Sequence, residues 1–255
     1  VVFAVSHLLP NSPETEVSEF LHWMPEHFER VLSACLEARV RHFLLVSSGG
    51  TVYGDMTDGR RLREDMPLMP RSPYGALSAT LEHLTWTAHR RNGLPITVLR
   101  LGNVYGRIGG RREGQGLVET ILWRAATEQA MVVYGDGSES RDYVWVEEVA
   151  ARICDVLALP ATNDLYNLAT GVGTSTAEVL DLTVRTFGLP PFRVDWRDRR
   201  SGDVARVVLD PGRFTATFGT GCEVGLTDGL ERYRRRLEAV AGQPPTSALA
   251  GLQRR

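Results

Sequence analysis

The chain has 255 residues, enough for one large α/β domain or a domain plus a lobe, and its 43% hydrophobic and 24% charged content excludes wholesale disorder. A formal net charge of −2, with basic residues scattered along the chain, argues against nucleic acid and against an acidic membrane surface as partners. The three cysteines, Cys35, Cys154 and Cys222, form neither a disulfide framework nor a CxxC metal pair, and the histidines show no ligand spacing, so no metal site and a reducing cytoplasm are expected. No stretch reaches the roughly 18 apolar residues of a membrane span, and no charged n-region of a signal peptide opens the chain. All 29 basic residues are arginine; lysine does not occur.

Val1-Val-Phe-Ala-Val-Ser6 reads as a buried strand, and residues 26–38 as a helix with Phe28, Val31, Leu32 and Cys35 on one face. A second apolar run, His42-Phe-Leu-Leu-Val-Ser47, ends in the small and hydroxyl residues Ser48-Gly-Gly-Thr51. A polar segment, 55–73, leads through Ser72-Pro73 into a helix carrying Leu77, Leu81, Leu84 and Ala88, which Gly93 stops. Strand Ile96–Arg100, a Gly-rich loop at 106–116, helix 117–129 and strand Met131–Tyr134 continue the alternation, which predicts a parallel sheet. From residue 141 the elements shorten: strand Asp142–Val146, a helix with Val149, Ile153, Val156 and Leu157 inward, strand Leu165–Leu168 and a helix over 175–187. Gly171-Val-Gly173-Thr-Ser-Thr176 lacks the third glycine of a dinucleotide fingerprint and reads as a turn with Thr174 or Ser175 capping the next helix. Near the end, Leu230, Tyr233, Leu237 and Val240 fall on one helical face with Arg234-Arg-Arg236 on the solvated one, and 241–255 reads as a mobile tail.

The chemistry gathers at two segments, Ser47-Ser-Gly-Gly-Thr-Val-Tyr-Gly54 and Arg71-Ser-Pro-Tyr-Gly75, which set hydroxyls after a strand and a tyrosine at the start of the following helix. Ligands of open α/β sheets bind at carboxyl ends of strands. A phenol acts as a base there only if a cation or hydrogen-bond donors favour its anion, and Ser48 and Thr51 are the nearby donors.

Together with Leu99-Arg-Leu-Gly-Asn-Val-Tyr-Gly106, Tyr134-Gly-Asp-Gly137, Arg141-Asp-Tyr-Val144, Tyr166-Asn-Leu168 and Arg200-Ser-Gly-Asp203, in this order, the chain resembles the extended short-chain dehydrogenase/reductase family, specifically its sugar-nucleotide epimerases and dehydratases. The resemblance implies a partial Rossmann-like parallel sheet flanked by helices over 1–106, joined by later returning strands, and a smaller α/β substrate-binding lobe over most of 107–240. It implies Tyr74 as the catalytic tyrosine with Thr51, or Ser48, on the same sugar oxygen; Thr51 is preferred because Gly49 falls where several epimerases carry their serine. For a nucleoside diphosphate sugar, a UDP-sugar first, it implies Asn103 near the diphosphate, Gly116 and Leu117 beside the base, Tyr134 in the same site, and Arg141 and Arg200 on the phosphates. For NAD it implies His7, Ser47 and Tyr74. Ion pairing with Asp142 and Asp203 stays open as the bland reading of the two arginines. Helices near 28–38 and 74–91 match those that form homodimers in the family.

Three departures stand beside this. The family's lysine, four residues past the tyrosine, falls on Ser78. The glycine-rich NAD turn, within roughly the first quarter of a typical member, is expected before Val1. Met24 and Phe28 replace small or polar residues near the cofactor. The departures predict weak NAD binding or none, and leave three readings: an NAD-dependent enzyme, leaning to an epimerase; a non-catalytic binder of a sugar nucleotide or partner protein; and a cofactor-independent acid-base enzyme using the same cleft.

Overall fold

Two predominantly apolar runs, Phe43–Ser48 and Ile96–Leu101, form the central strands of a parallel sheet, because a strand covered on both faces carries apolar residues at successive positions and not only at alternate ones. The computed structural model describes residues 1–4, 14–55, 59–108, 116–199 and 204–241, with side chains of the first helix from Phe20 onward. In chain order the elements are β1 (Val2–Phe3), α1 (Glu14–Glu37), β2 (Phe43–Ser48), α2 (Gly49–Val52), α3 (Pro73–Asn92), β3 (Ile96–Leu101), β4 (Asn103–Tyr105), α4 (Leu117–Ala126) and β5 (Met131–Tyr134). There follow β6 (Ser140–Trp145), α5 (Val146–Ala158), β7 (Asp164–Leu168), β8 (Gly173–Ser175), α6 (Thr176–Phe187), β9 (Val194–Arg197), β10 (Arg206–Val207), α7 (Gly212–Phe218) and α8 (Leu226–Ala241).

The main sheet has the order β1-β2-β3-β7, every pair parallel. Its pleat sorts the side chains: Phe43, Leu45, Ile96, Val98 and Leu165 pack with Phe28, Leu32, Leu77 and Leu81 of α1 and α3. Leu44, Leu99, Tyr166 and Leu168 face the other way, against Val149 and Val156 of α5 and Phe214 of α7. A second core joins α4, α6 and α8 to β5 and β6 through Ile121, Leu122, Met131, Trp145, Phe187, Leu230 and Tyr233. Between the cores, β6 pairs with β4, β10 and β8, the last antiparallel.

Helix ends follow their local chemistry. Ser72 caps α3, its Oγ accepting from the Gly75 N–H 3.1 Å away, Pro73 opens the first turn, and Gly93 stops the helix at a φ of 73°. At the Gly171–Thr176 turn Ser175 is the cap, in a reciprocal box with Glu178.

Some expectations change. Helix α1 continues back through Pro25 to Glu14, and buried Phe20 and Met24 give that extra length its packing. Two residues assigned inward are exposed: Leu157 at 38%, near the end of α5, and Val240 at 59%, in the last turn of α8. At helix ends the periodic face runs past the surface it covers. The first strand is described only over Val2–Phe3, since residues 5 and 6 lie outside the described residues, as do 242–255 of the expected tail.

Phe28 is fully buried, with its ring centroid 4.7 Å from that of Phe3. Phe28→Ala is expected to cost about 3–5 kcal/mol, and Leu157→Ala less than about 0.5 kcal/mol, read from urea midpoints at unchanged slope.

Candidate functional site

Strand β2 delivers Ser47 and Ser48 to its carboxyl end, where the chain turns at once into the one-turn helix α2, and α3 returns beside it. Glycine allows the approach: a Cβ on Gly75 would stand 2.5 Å from the Thr51 carbonyl oxygen, and one on Gly49 2.5 Å from Leu209 Cδ1. Tyr74, half-buried in the first turn of α3, thereby faces Ser48.

The hydroxyls of Ser48 and Ser78 stand beside the phenol of Tyr74 and favour its anion. Burial raises its pKa above the ordinary 10.0, and the two hydroxyls offset only part of that rise. Ser78 also donates to the Tyr74 carbonyl oxygen at 3.0 Å, an ordinary intrahelical contact. The hydroxyl set against Tyr74 is that of Ser48. The preferred Thr51 turns its Oγ1 back to the Ser48 carbonyl oxygen at 3.4 Å, because α2 closes its single turn there.

Asn103 belongs to the same place. Its Oδ1 lies 2.9 Å from where a Cβ on Gly50 would be, directly over the α2 turn. Asn103 pairs in register with Tyr143 on β6, and Arg141 stands two residues earlier on that strand, on the same face by the pleat. The Arg141 guanidinium donates to the carbonyls of Ser140 at 2.9 Å and Val204 at 2.7 Å, which anchors the segment entering β10. Asp142, on the opposite face, is buried and accepts from the Thr170 N–H and Oγ1 and the Gly171 N–H; burial raises its pKa despite them.

Gly116, Leu117 and Tyr134 stand at other positions: Gly116, with φ 85°, precedes α4, Leu117 begins it, and Tyr134 ends β5 opposite Arg197 of β9. His7 and Arg200 lie outside the described residues. Among the described residues, no group of three His, Cys, Asp or Glu side chains is placed to hold a metal ion, and no helix is long and apolar enough to cross a membrane.

Beneath the site runs a buried polar network that sequence reasoning missed. Ser47 Oγ donates to Glu82 Oε1 at 2.5 Å, so this hydroxyl is engaged within the protein. Arg100 grips the Glu82 carboxylate through Nη2 at 2.6 Å and Nε at 3.0 Å, both side chains 5% exposed or less. Arg100 Nη1 also donates to the Tyr53 hydroxyl at 2.8 Å, and that hydroxyl donates to Asn167 Oδ1 at 2.7 Å. Burial pushes the Tyr53 pKa up to about 12, against the lowering effect of Arg100, so the phenol keeps the proton it donates. Two signals were available: a charge inside the apolar run of β3, and Glu82 four residues after Ser78 and eight after Tyr74 on one face of α3.

Comparisons with known proteins agree with this fold. The profile of the NAD dependent epimerase/dehydratase family matches residues 12–169, and the chain belongs to that family. It is 31% identical over 203 residues to the low-salt glycan biosynthesis protein Agl12 of Haloferax volcanii, covering 80% of this chain and 64% of that protein. It is 30% identical over 189 residues to a putative UDP-glucose 4-epimerase of Methanocaldococcus jannaschii, covering 74% of this chain and 60% of that one. The chain thus spans about three fifths of the length of these relatives. A crystal structure of the UDP-glucose 4-epimerase of Thermus thermophilus in complex with NAD superposes with a TM-score of 0.74 at 30% identity, covering 88% of this chain and 68% of that one.

The residues around Tyr74 do not fit the cofactor this family implies. The cavity bounded by Met24, Leu45–Ser48, Tyr74, Leu77, Ser78 and Leu81 holds about 30 Å³, room for a water molecule or a single hydroxyl group and not for a whole ribose, hexose or nicotinamide ring. Among the described residues its lining carries no charged side chain that would favour the phenolate, and Ser78 stands on the helix face four residues after Tyr74.

Removing one partner of the Glu82–Arg100 pair leaves a buried uncompensated charge. Glu82→Gln is expected to lose about 3–5 kcal/mol in urea unfolding, whereas Glu82→Leu combined with Arg100→Met regains most of that loss.

Proposed function

We propose that this chain binds a nucleoside diphosphate sugar, a UDP-sugar first, with the sugar at Tyr74 and Ser48 and the diphosphate at Asn103, Arg141 and Arg200. One observation carries the reading: Asn103 Oδ1 over the Gly50 turn joins the Tyr74–Ser48 corner to the face of β6 that bears Arg141. Arginine suits a diphosphate because its planar fork donates paired, charge-assisted hydrogen bonds and stays charged when buried. Two of the relatives are named as UDP-glucose 4-epimerases, which supports the substrate class.

In this reading most of 107–240 forms the substrate lobe, with Gly116 and Leu117 beside the base and Tyr134 close to them. NAD-linked turnover has less support, since the surroundings of Tyr74 do not suit the cofactor. A cytoplasmic homodimer through α1 and α3 completes the reading. The net charge of −2 supports a small-molecule partner over a nucleic acid.

Calorimetry with UDP tests the diphosphate half. The parent chain is expected to bind, and Asn103→Ala and Arg141→Ala to bind roughly tenfold more weakly or worse, since a charge-assisted hydrogen bond is worth about 1.5–3 kcal/mol. Arg141→Ala should also lower the melting temperature, because it releases the Val204 carbonyl. Asn103→Ala is the cleaner probe of the ligand. An absence of UDP binding by the parent at millimolar ligand, or unchanged affinity in Asn103→Ala, would defeat the proposal.

A further inference from the structure

The disagreement between Tyr74 and its expected cofactor has a positive content. We propose that Tyr74, Ser48 and Ser78 form a neutral hydroxyl site that binds one water molecule, or one hydroxyl of a bound sugar, and that this chain holds its sugar nucleotide without oxidising it. The second half of the proposal rests on the sugar-nucleotide reading above; the first does not.

A water needs two to four polar partners and a cavity of at least about 10–15 Å³, and here about 30 Å³ opens beside the hydroxyls of Ser47, Ser48, Tyr74 and Ser78. Ser47 is committed to Glu82, which leaves Ser48, Tyr74 and Ser78 as the polar rim. The rest of the space is protein: Met24, 4% exposed, comes in from α1, and Leu77 and Leu81 from α3. A long unbranched thioether fills irregular gaps well. Met24 therefore closes the space beside Tyr74 as part of the same core that holds Phe28 and Leu45.

Among the described residues no cation lines the cavity beside the phenol. The chain has no lysine, and no charged side chain of α1 from Phe20 onward, of β2 or of α3 lines it. Arg100 lies in the network below, occupied by Glu82 and Tyr53, where its charge is already matched. Glu82, the nearest buried carboxylate along the hydroxyl line, accepts from both Ser47 and Arg100. A neutral phenol in this setting can donate one hydrogen bond and accept another, which suits recognition of a sugar hydroxyl and does not remove its proton. Without that removal, hydride loss from the same carbon is disfavoured, because the developing carbonyl keeps its proton.

Two measurements on the full chain test the proposal. In a spectrophotometric pH titration, the tyrosinate signal lost on Tyr74→Phe is expected to appear above the ordinary 10.0, and to move down in Ser78→Lys. Tyr74 titrating below about pH 8 in the parent would overturn the neutral site. In the second, UDP-glucose is titrated into the parent and Tyr74→Phe at about pH 7 and about pH 9. The variant should bind a few-fold to about tenfold more weakly, by the same factor at both pH values, and UDP itself should bind both proteins equally. A parent-to-variant ratio that changes with pH, or conversion of UDP-glucose to its 4-epimer with NAD added, would refute it. If neither UDP nor UDP-glucose binds, the sugar-nucleotide reading fails while the phenol titration still decides the character of the site.

Discussion

The buried grip of Arg100 on Glu82 holds the site together. It ties β3 to α3 directly, β2 through Ser47, and β7 and the turn after α2 through Tyr53 and Asn167. Asn167 extends the chain of bonds to the Leu62 carbonyl, and its backbone N–H is met by Glu64, so the segment of residues 60–65 is fastened along the open edge of β7. Buried ions are costly unless every lone pair and proton is satisfied, and here the carboxylate accepts three separate donor groups while the guanidinium faces both a carboxylate and a phenol. An apolar replacement of similar volume could be as stable. What the ion pair supplies in addition is a single register among four elements whose apolar faces alone would tolerate sliding.

That rigidity matters because everything above it is made of small residues. Gly49, Gly50 and Gly75 let α2, α3 and Asn103 approach within distances that a methyl group would obstruct, and Gly102 lies against the Asp142 carbonyl oxygen of β6. A wall of glycines has little packing of its own to hold its shape. The network beneath and the α1 core behind provide that support, and Tyr74 takes its position from both.

The sheet and its helices were legible in the sequence because their signals are local: largely apolar runs at 43–48 and 96–101, a Ser-Pro cap at 72–73 and a stop at Gly93. The meeting of Asn103 with Gly50 was not. It depends on β4 turning from the main sheet to pair with β6, a long-range choice that no window of sequence reports. Which of Ser48 and Thr51 stands beside Tyr74 also lay beyond pattern, since it turns on which hydroxyl the one-turn helix α2 uses for its own closure. The buried charges were visible as misfits within apolar contexts, at Arg100 in β3 and Glu82 on the inner face of α3, but their partners came only with the fold.

The absence of lysine affects the two halves of the cleft differently. Phosphate recognition accepts the exchange of lysine for arginine, because a guanidinium offers more donors in a fixed plane and keeps its charge under burial. Activation of a phenol four residues earlier on a helix does not, since it needs a compact cation on a flexible stem that can reach past the helix surface to the hydroxyl. A guanidinium at position 78 would have to enter a cavity of about 30 Å³ already closed by Met24, Leu77 and Leu81. Serine fits there, at the cost of the charge. The lack of lysine is therefore compatible with the diphosphate site proposed at Arg141 and with the neutral tyrosine proposed at position 74, and under that proposal binding divides from turnover along the line between β6 and α3.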